Sequence, residues 1–277
     1  MKRIKALLAL VALLAFSPAS ADQWKSPEAY EPVVKTYRPL IVILDMTTFR
    51  PQAALADASI LAEALMTHMP EGKPLVIYHD YGERLDLATP REGIVKPTVC
   101  VKRHPIFEIG RKPCSTKGYE KAHNAFFHVV DAAFAPYFER SDASQSRPFT
   151  AIATAATDHS LGRNVGGDIF YITDGLPYSD VARFSPGADW LNEGESRNAL
   201  QEELMLRGLL PDLRGYRLHM VGVGRTLNGD STLSAEAAGE IVKFWTWYAS
   251  LTGASLSIFP NFGTASIELM KNLESVE

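Results

Sequence analysis

The chain alternates between short runs of aliphatic residues and longer stretches in which apolar residues recur every three or four positions. Residues 40–44 are all aliphatic, which is typical of a strand buried on both faces of a sheet. Further runs predict strands over residues 74–78, 97–102, 167–173, 217–223 and 254–259. Helical spacing predicts helices over residues 51–68, 115–138, 150–159, 197–209, 235–251 and 265–273.

Strands that alternate with helices along the chain indicate an α/β fold. We expect a Rossmann-like, doubly wound and mostly parallel six-stranded sheet with helices on both faces. The turn-rich link over residues 80–91 is short, so one of the second and third strands is expected to run antiparallel at an edge of the sheet. Residues 39–277 would form this single domain, and residues 22–38 would be a polar lead-in without clear periodicity.

The first residues have the three parts of a secretory signal peptide. Lys2, Arg3 and Lys5 give a positive start, residues 6–16 are almost wholly apolar, and Ala19-Ser20-Ala21 forms a small-residue cleavage pattern. Residues 1–21 are therefore predicted to be removed on export, and the protein is expected to be periplasmic or secreted. The alternative is an uncleaved anchor, but the apolar run is short for a membrane span and no later segment would span after cleavage.

The net charge of the chain narrows the classes of partner that it can bind. The formal net charge is −4, and loss of the signal peptide removes further positive residues, which argues against nucleic acid as a partner.

Cys100 and Cys114 are the two cysteines, and an even count in an exported chain suggests one disulfide. Such a disulfide would add about 3 kcal/mol to the free energy of unfolding, because it lowers the conformational entropy of the unfolded chain.

Oxygen-bearing side chains follow several predicted strands. Asp45 and Thr47 come at the end of the first strand, Asp174 at the end of the fourth, and Thr150 opens the helix just before that fourth strand. Ligands of open α/β sheets bind outside the carboxyl ends of the strands. Carboxylates and hydroxyls are suitable ligands for a hard cation such as Mg²⁺.

The order of elements and these residues are similar to the von Willebrand factor A (vWA) family. Its adhesion site combines Asp-x-Ser-x-Ser after the first strand with a threonine ahead of a helix and a late aspartate. Asp45, Thr47, Thr150 and Asp174 match those positions, and the resemblance covers most of residues 39–273. It implies a Mg²⁺ or Mn²⁺ site, but Phe49 stands where the family has its second serine, so the ligand set is degenerate.

Simpler roles exist for each of these residues. Thr47 or Thr48 could cap the first helix, and Thr150 could cap its own helix. Asp174-Gly175 could be ordinary turn chemistry. A metal-assisted hydrolase or phosphatase using Asp45 and Asp174 is an alternative function, although His79 is its one candidate base.

A long loop over residues 176–195 should lie beside the candidate ion site, because it follows Asp174. It contains Tyr178, Asp180 and Trp190, which are residue types that binding surfaces use. The leading interpretation is an exported protein-binding module that contacts another envelope or secreted protein. A metal-independent subunit of the envelope or of a secretion apparatus is the remaining alternative.

Overall fold

The computed structural model describes residues 39–47, 52–90, 93–97, 116–139, 145–158, 166–179, 181–182, 194–224, 234–263, 266–267 and 270. Its strands are β1 (Leu40–Asp45), β2 (Pro74–Asp80), β3 (Leu85–Leu87), β4 (Ile94–Val95), β5 (Gly167–Ile172), β6 (Tyr216–Val221) and β7 (Ser255–Phe259). Its helices are α1 (Gln52–Thr67), α2 (Thr116–Phe134), α3 (Pro148–Asp158), α4 (Gly194–Leu206) and α5 (Ala235–Thr252). None of these described helices is long and apolar enough to cross a bilayer.

The strands form one sheet in the order β3-β2-β1-β5-β6-β7, and β4 pairs separately with β2. The β1, β2, β5, β6 and β7 strands run parallel, whereas β3 and β4 pair antiparallel to β2. This arrangement confirms the predicted doubly wound α/β fold. The strand order reverses direction at β1, so the carboxyl ends of β1 and its two neighbours enclose the crevice where such folds bind ligands.

Two apolar layers explain why β1 is aliphatic at every position before its aspartate. Ile41 and Ile43 pack with side chains of α3, α4 and α5 on one face of the sheet. Leu40, Val42 and Leu44 pack with side chains of α1 and α2 on the other face. A strand covered on both faces needs apolar residues at successive positions rather than at alternate ones.

The predicted antiparallel edge is present, and among the described strands it is formed by a strand that the sequence pattern does not predict. Pro97 is not in a strand, and residues 98–102 lie outside the described residues. The edge strand is instead β3, inside the segment predicted to be a link. Three residues are too few to show a strand period, and β2 continues two residues further than predicted, to Asp80.

Helix α3 begins at Pro148, two residues before the predicted start. Proline suits the first helical turn because its missing N–H would have no partner inside the helix. Thr150 is therefore the third residue of α3, so the proposed cap at its first position is wrong. The predicted helix over 115–138 is α2 followed by a 3₁₀ turn at Ala135–Phe138, which contains Pro136.

Candidate functional site

Three aspartates meet at the carboxyl ends of neighbouring strands. Asp45 is the last residue of β1 and Asp80 is the last residue of β2, and the two are direct partners in the parallel register. Asp174 follows β5 after Thr173. We call Asp45, Thr47, Asp80, Thr173 and Asp174 the carboxyl-end rim.

Asp45 is buried and holds the centre of this rim through both carboxylate oxygens. Its Oδ1 accepts hydrogen bonds from the backbone N–H of Thr47 at 2.9 Å and from the Thr47 hydroxyl at 2.5 Å. Its Oδ2 accepts one from the Thr173 hydroxyl at 2.8 Å, which ties β1 to the segment after β5. A buried carboxylate needs such donors, so the aspartate that ends the aliphatic run is satisfied by local turn geometry and by the neighbouring strand.

Asp80 is the rim residue that the sequence reading missed. It is buried, accepts a hydrogen bond from the Tyr171 hydroxyl at 2.5 Å, and accepts another from the N–H of Gly82 at 2.8 Å. Gly82 has a φ of +75°, and a Cβ there would come within 1.9 Å of the Gln145 carbonyl oxygen, so this turn requires glycine. The available signal was that a second aliphatic strand, PLVIYHD, also ends in an aspartate.

Asp174 is less buried than the other two aspartates and is held by a turn of its own. Its Oδ1 accepts a hydrogen bond from the N–H of Leu176 at 2.8 Å, and no described residue donates to its Oδ2. The Gly175 carbonyl accepts a hydrogen bond from Trp245 Nε1 at 2.8 Å, which anchors this turn to α5. Gly175 has a φ of +77°, which favours glycine. Asp174 and Gly175 thus form a tight turn, and this turn also places a carboxylate oxygen of Asp174 at the rim.

Two of the three rim aspartates, Asp80 and Asp174, have raised pKa values. Burial and the charge of Asp45 raise the pKa of Asp80 to about 7, and the same two causes raise the pKa of Asp174 to about 7. Burial, together with the nearby charges of the three aspartates, raises the pKa of the Tyr171 hydroxyl well above its ordinary value. Clustered, mutually repelling carboxyls are a common mark of functional sites.

The structure does not bring Thr150 into contact with the rim aspartates. It is exposed in the first turn of α3, and it lines a cavity of about 210 Å³ with Arg147, Ser179 and Arg207. The carbonyl of Gln145, the residue before Ser146, lies against Gly82, whose N–H donates to Asp80. Among the described residues, the buried Ser146 hydroxyl has no hydrogen-bond partner.

Of the predicted partner-binding residues, Tyr178 can be placed. Its backbone pairs with that of Ser146 through two hydrogen bonds of 3.0 Å, and its side chain is 50% exposed. Asp180 and Trp190 lie outside the described residues, as do Phe49 and the predicted disulfide between Cys100 and Cys114. The exposed ring of Tyr178 thus stands on the segment that follows Asp174.

His79 does not provide a base at the rim. It is buried on β2, and its Nε2 lies 2.6 Å from the carbonyl oxygen of Ala133 on α2. Its neighbour Asp80 faces Tyr171. Within the described part of the chain, no three acidic, histidine or cysteine side chains form a cluster suited to a metal ion. Any cation at the rim would need hydroxyl and water oxygens beside the carboxylates.

Comparisons with known proteins add resemblances at low identity. No protein-family model matches the sequence, and no curated protein matches it. An aerotolerance-related membrane protein from Bacteroides fragilis is 14% identical over 86% of this chain and 96% of its own, with a TM-score of 0.38. The human COPII-coat protein Sec24c is 10% identical over 86% of this chain and 32% of its own, with a TM-score of 0.41. The PilB minor pilin from Streptococcus sanguinis is 8% identical over 88% of this chain and 62% of its own, with a TM-score of 0.44.

Proposed function

We propose that this chain is an exported, vWA-like protein-binding module of the cell envelope. Its carboxyl-end rim would bind another envelope or secreted protein, and a divalent cation would take part in that contact. The observation that carries the proposal is the convergence of Asp45, Asp80 and Asp174 at the switch point of the sheet.

The donor chemistry of the rim is compatible with a hard cation. Asp45, Thr47 and Asp174 would hold Mg²⁺ or Mn²⁺ together with water, because all three offer oxygen ligands. The Asp174 Oδ2, to which no described residue donates, is the oxygen most open to such an ion. A bound cation would favour the ionised carboxylates and so act against the burial and the charge of Asp45, which raise the pKa of Asp80 and Asp174. It would also offer a coordination position to an acidic group of the partner.

Binding of Mg²⁺ or Mn²⁺ should depend on Asp174. Isothermal titration of the wild-type protein at about pH 8 is expected to show one site, because this pH lies above the raised pKa of about 7 of Asp80 and Asp174. Asp174→Asn keeps an oxygen for the Leu176 N–H and removes the charge, so the cation affinity should fall at least about tenfold, which corresponds to about 1.4 kcal/mol. Asp212→Asn, in an exposed turn, is the control and should bind as the wild type does. Absence of a heat signal from the wild-type protein would remove the cation from the proposal.

Partner capture should depend on the Tyr178 ring. Tyr178→Ala removes an exposed aromatic ring and keeps the backbone pairing with Ser146, so the fold should be unaffected. We expect affinity capture from envelope extracts to lose its specific partner with this variant and with EDTA. Phe138→Ala is the matched control, because Phe138 is exposed to a similar extent on the 3₁₀ turn. A partner that survives EDTA but not Tyr178→Ala would identify the metal-independent subunit instead.

A further inference from the structure

The two edges of the sheet differ in how they are protected. One edge is β3, which has three residues and carries the exposed Arg84–Asp86 ion pair beside it. The other edge is β7, SLSIF, which has five residues with no charge and no proline. Proteins usually protect edge strands with charges, prolines, bulges or very short strands, because a free edge pairs with other chains. The β7 edge has none of these features.

The backbone of β7 has hydrogen-bonding groups that face away from the sheet. Among the described strands, β7 pairs with β6 alone. The Phe259 carbonyl accepts from Gly222 beyond the end of β6, so the backbone groups of Ser255, Ser257 and Phe259 point toward β6. Because successive residues of a strand alternate, the N–H and C=O groups of Leu256 and Ile258 point outward.

An uncharged groove accompanies this edge. A cavity of about 530 Å³ lies between α5 and β7 and is lined by residues without a charge: Val242, Thr246, Ala249, Ser250, Ala254, Leu256 and Ile258. Val242 is 40% exposed on α5. A surface without charge meets its own copy without like-charge repulsion, so it suits a two-fold interface in which the same patch lies on both sides.

We propose that β7 pairs antiparallel with β7 of a second copy of this chain, so that the sheet continues across a dimer. The outward groups are symmetric about Ser257, so Leu256 of each copy would face Ile258 of the other, with four backbone hydrogen bonds. The two α5 helices would then lie on the same face and fill the grooves. Because the paired strands run in opposite directions, the two carboxyl-end rims would point to opposite ends of the dimer.

A cysteine cross-link tests the register. The two Ser257 residues would form the non-hydrogen-bonded pair at the axis, with Cα atoms about 4.5 Å apart, which is within the range of a disulfide. Ser257→Cys is expected to give a covalent dimer under mild oxidation. In the matched control Ser255→Cys, each position would face Phe259 of the other copy, and the two cysteines would lie roughly 13 Å apart. Equal cross-linking of the two variants, or none in either, would overturn the proposal.

Sedimentation equilibrium tests the interface without cysteine. The wild-type protein should dimerise, and Val242→Glu should weaken the dimer at least tenfold, because it places a carboxylate in the uncharged groove that the interface would bury. Leu87→Glu is the control, since Leu87 is exposed to a similar 37% on the opposite edge strand β3, and it should dimerise as the wild type does. A wild-type protein that stays monomeric at all concentrations would overturn the proposal. Equal weakening by both variants would also overturn it.

Discussion

Raising the pH from about 4 to about 8 in a chelating buffer is expected to lower the free energy of unfolding by on the order of a few kcal/mol through Asp80 and the rim carboxyls coupled to it. Asp80 is buried beside Asp45, and these two causes raise its pKa to about 7 in the folded protein. In the unfolded chain the same carboxyl has its ordinary pKa of 3.8. One pKa unit corresponds to about 1.4 kcal/mol, which gives the size of the effect.

The direction follows from proton binding. Between about pH 4 and about pH 7 the folded protein keeps a proton on Asp80 that the unfolded chain has lost, so folding takes up a proton in this range. The contribution of Asp80 to the free energy of unfolding is therefore most favourable below pH 4, and this favourable contribution is lost as the pH rises toward 7. Asp174 acts in the same direction, because burial and Asp45 raise its pKa as well.

Urea unfolding at a series of pH values measures this dependence. Asp80→Asn keeps an acceptor for the Gly82 N–H or the Tyr171 hydroxyl and removes the titration, so its stability should fall less steeply with pH than that of the wild type. Asp212→Asn, in an exposed turn, should keep the wild-type slope. Identical slopes for the wild type and Asp80→Asn would show that burial and the charge of Asp45 do not raise the pKa of Asp80 in the folded protein.

Replacement of Asp168 by alanine is expected to cost about 3–5 kcal/mol of stability, because it removes the carboxylate from a buried charge network. Asp168 lies near the start of β5 and contacts Lys73 Nζ at 3.2 Å, Arg217 Nε at 2.7 Å and His219 Nε2 at 3.4 Å. Lys73 is almost fully buried, and after the substitution its ammonium group would have lost the carboxylate that offsets its desolvation.

The same network predicts sensitivity to acid. Burial raises the pKa of Asp168, but the hydrogen bond from His219 and the positive charges of Lys73 and Arg217 outweigh burial, so its pKa is lowered below 3.8. The contribution of Asp168 is therefore fully present above about pH 4 and is lost as the pH falls through the lowered value.

Thermal and urea unfolding of Asp168→Ala at neutral pH would measure the loss. Asp212→Ala is the control, because Asp212 pairs with Arg214 at the surface and exposed ion pairs contribute little. Equal stability of the two variants would show that the buried network does not stabilise the sheet.

The element order was predictable because the apolar pattern is strong where the sheet is covered on both faces. The aliphatic run of β1 and the apolar stripes of α1 and α2 each identify their element without any contact information. Phe244, Trp245 and Tyr248 of α5 are buried together against Phe149, in line with the apolar spacing that identifies this helix. Helices and strands that bury one or both faces have regularly spaced apolar residues, and this spacing can be recognised from the sequence alone.

Short edge strands leave no such period, so β3 and β4 could not be found in this way. For the same reason the end of β2 was placed too early, and Asp80 was assigned to a link. Thr150 is a different case. Its position before a strand matches a known pattern, and α3 starts at Pro148, so Thr150 is its third residue and not its cap; its part in an ion site stays a prediction.

By itself, the sequence determined the fold class and identified two of the three rim aspartates, Asp45 and Asp174. An aspartate that follows an aliphatic run can be recognised from the sequence without any structural information. Only the tertiary structure decided that Asp80 joins them, since its neighbourhood depends on the register of β1 against β2. It also decided that the pKa values of Asp80 and Asp174 are raised, because burial and charge–charge repulsion depend on distances between strands that are far apart in sequence.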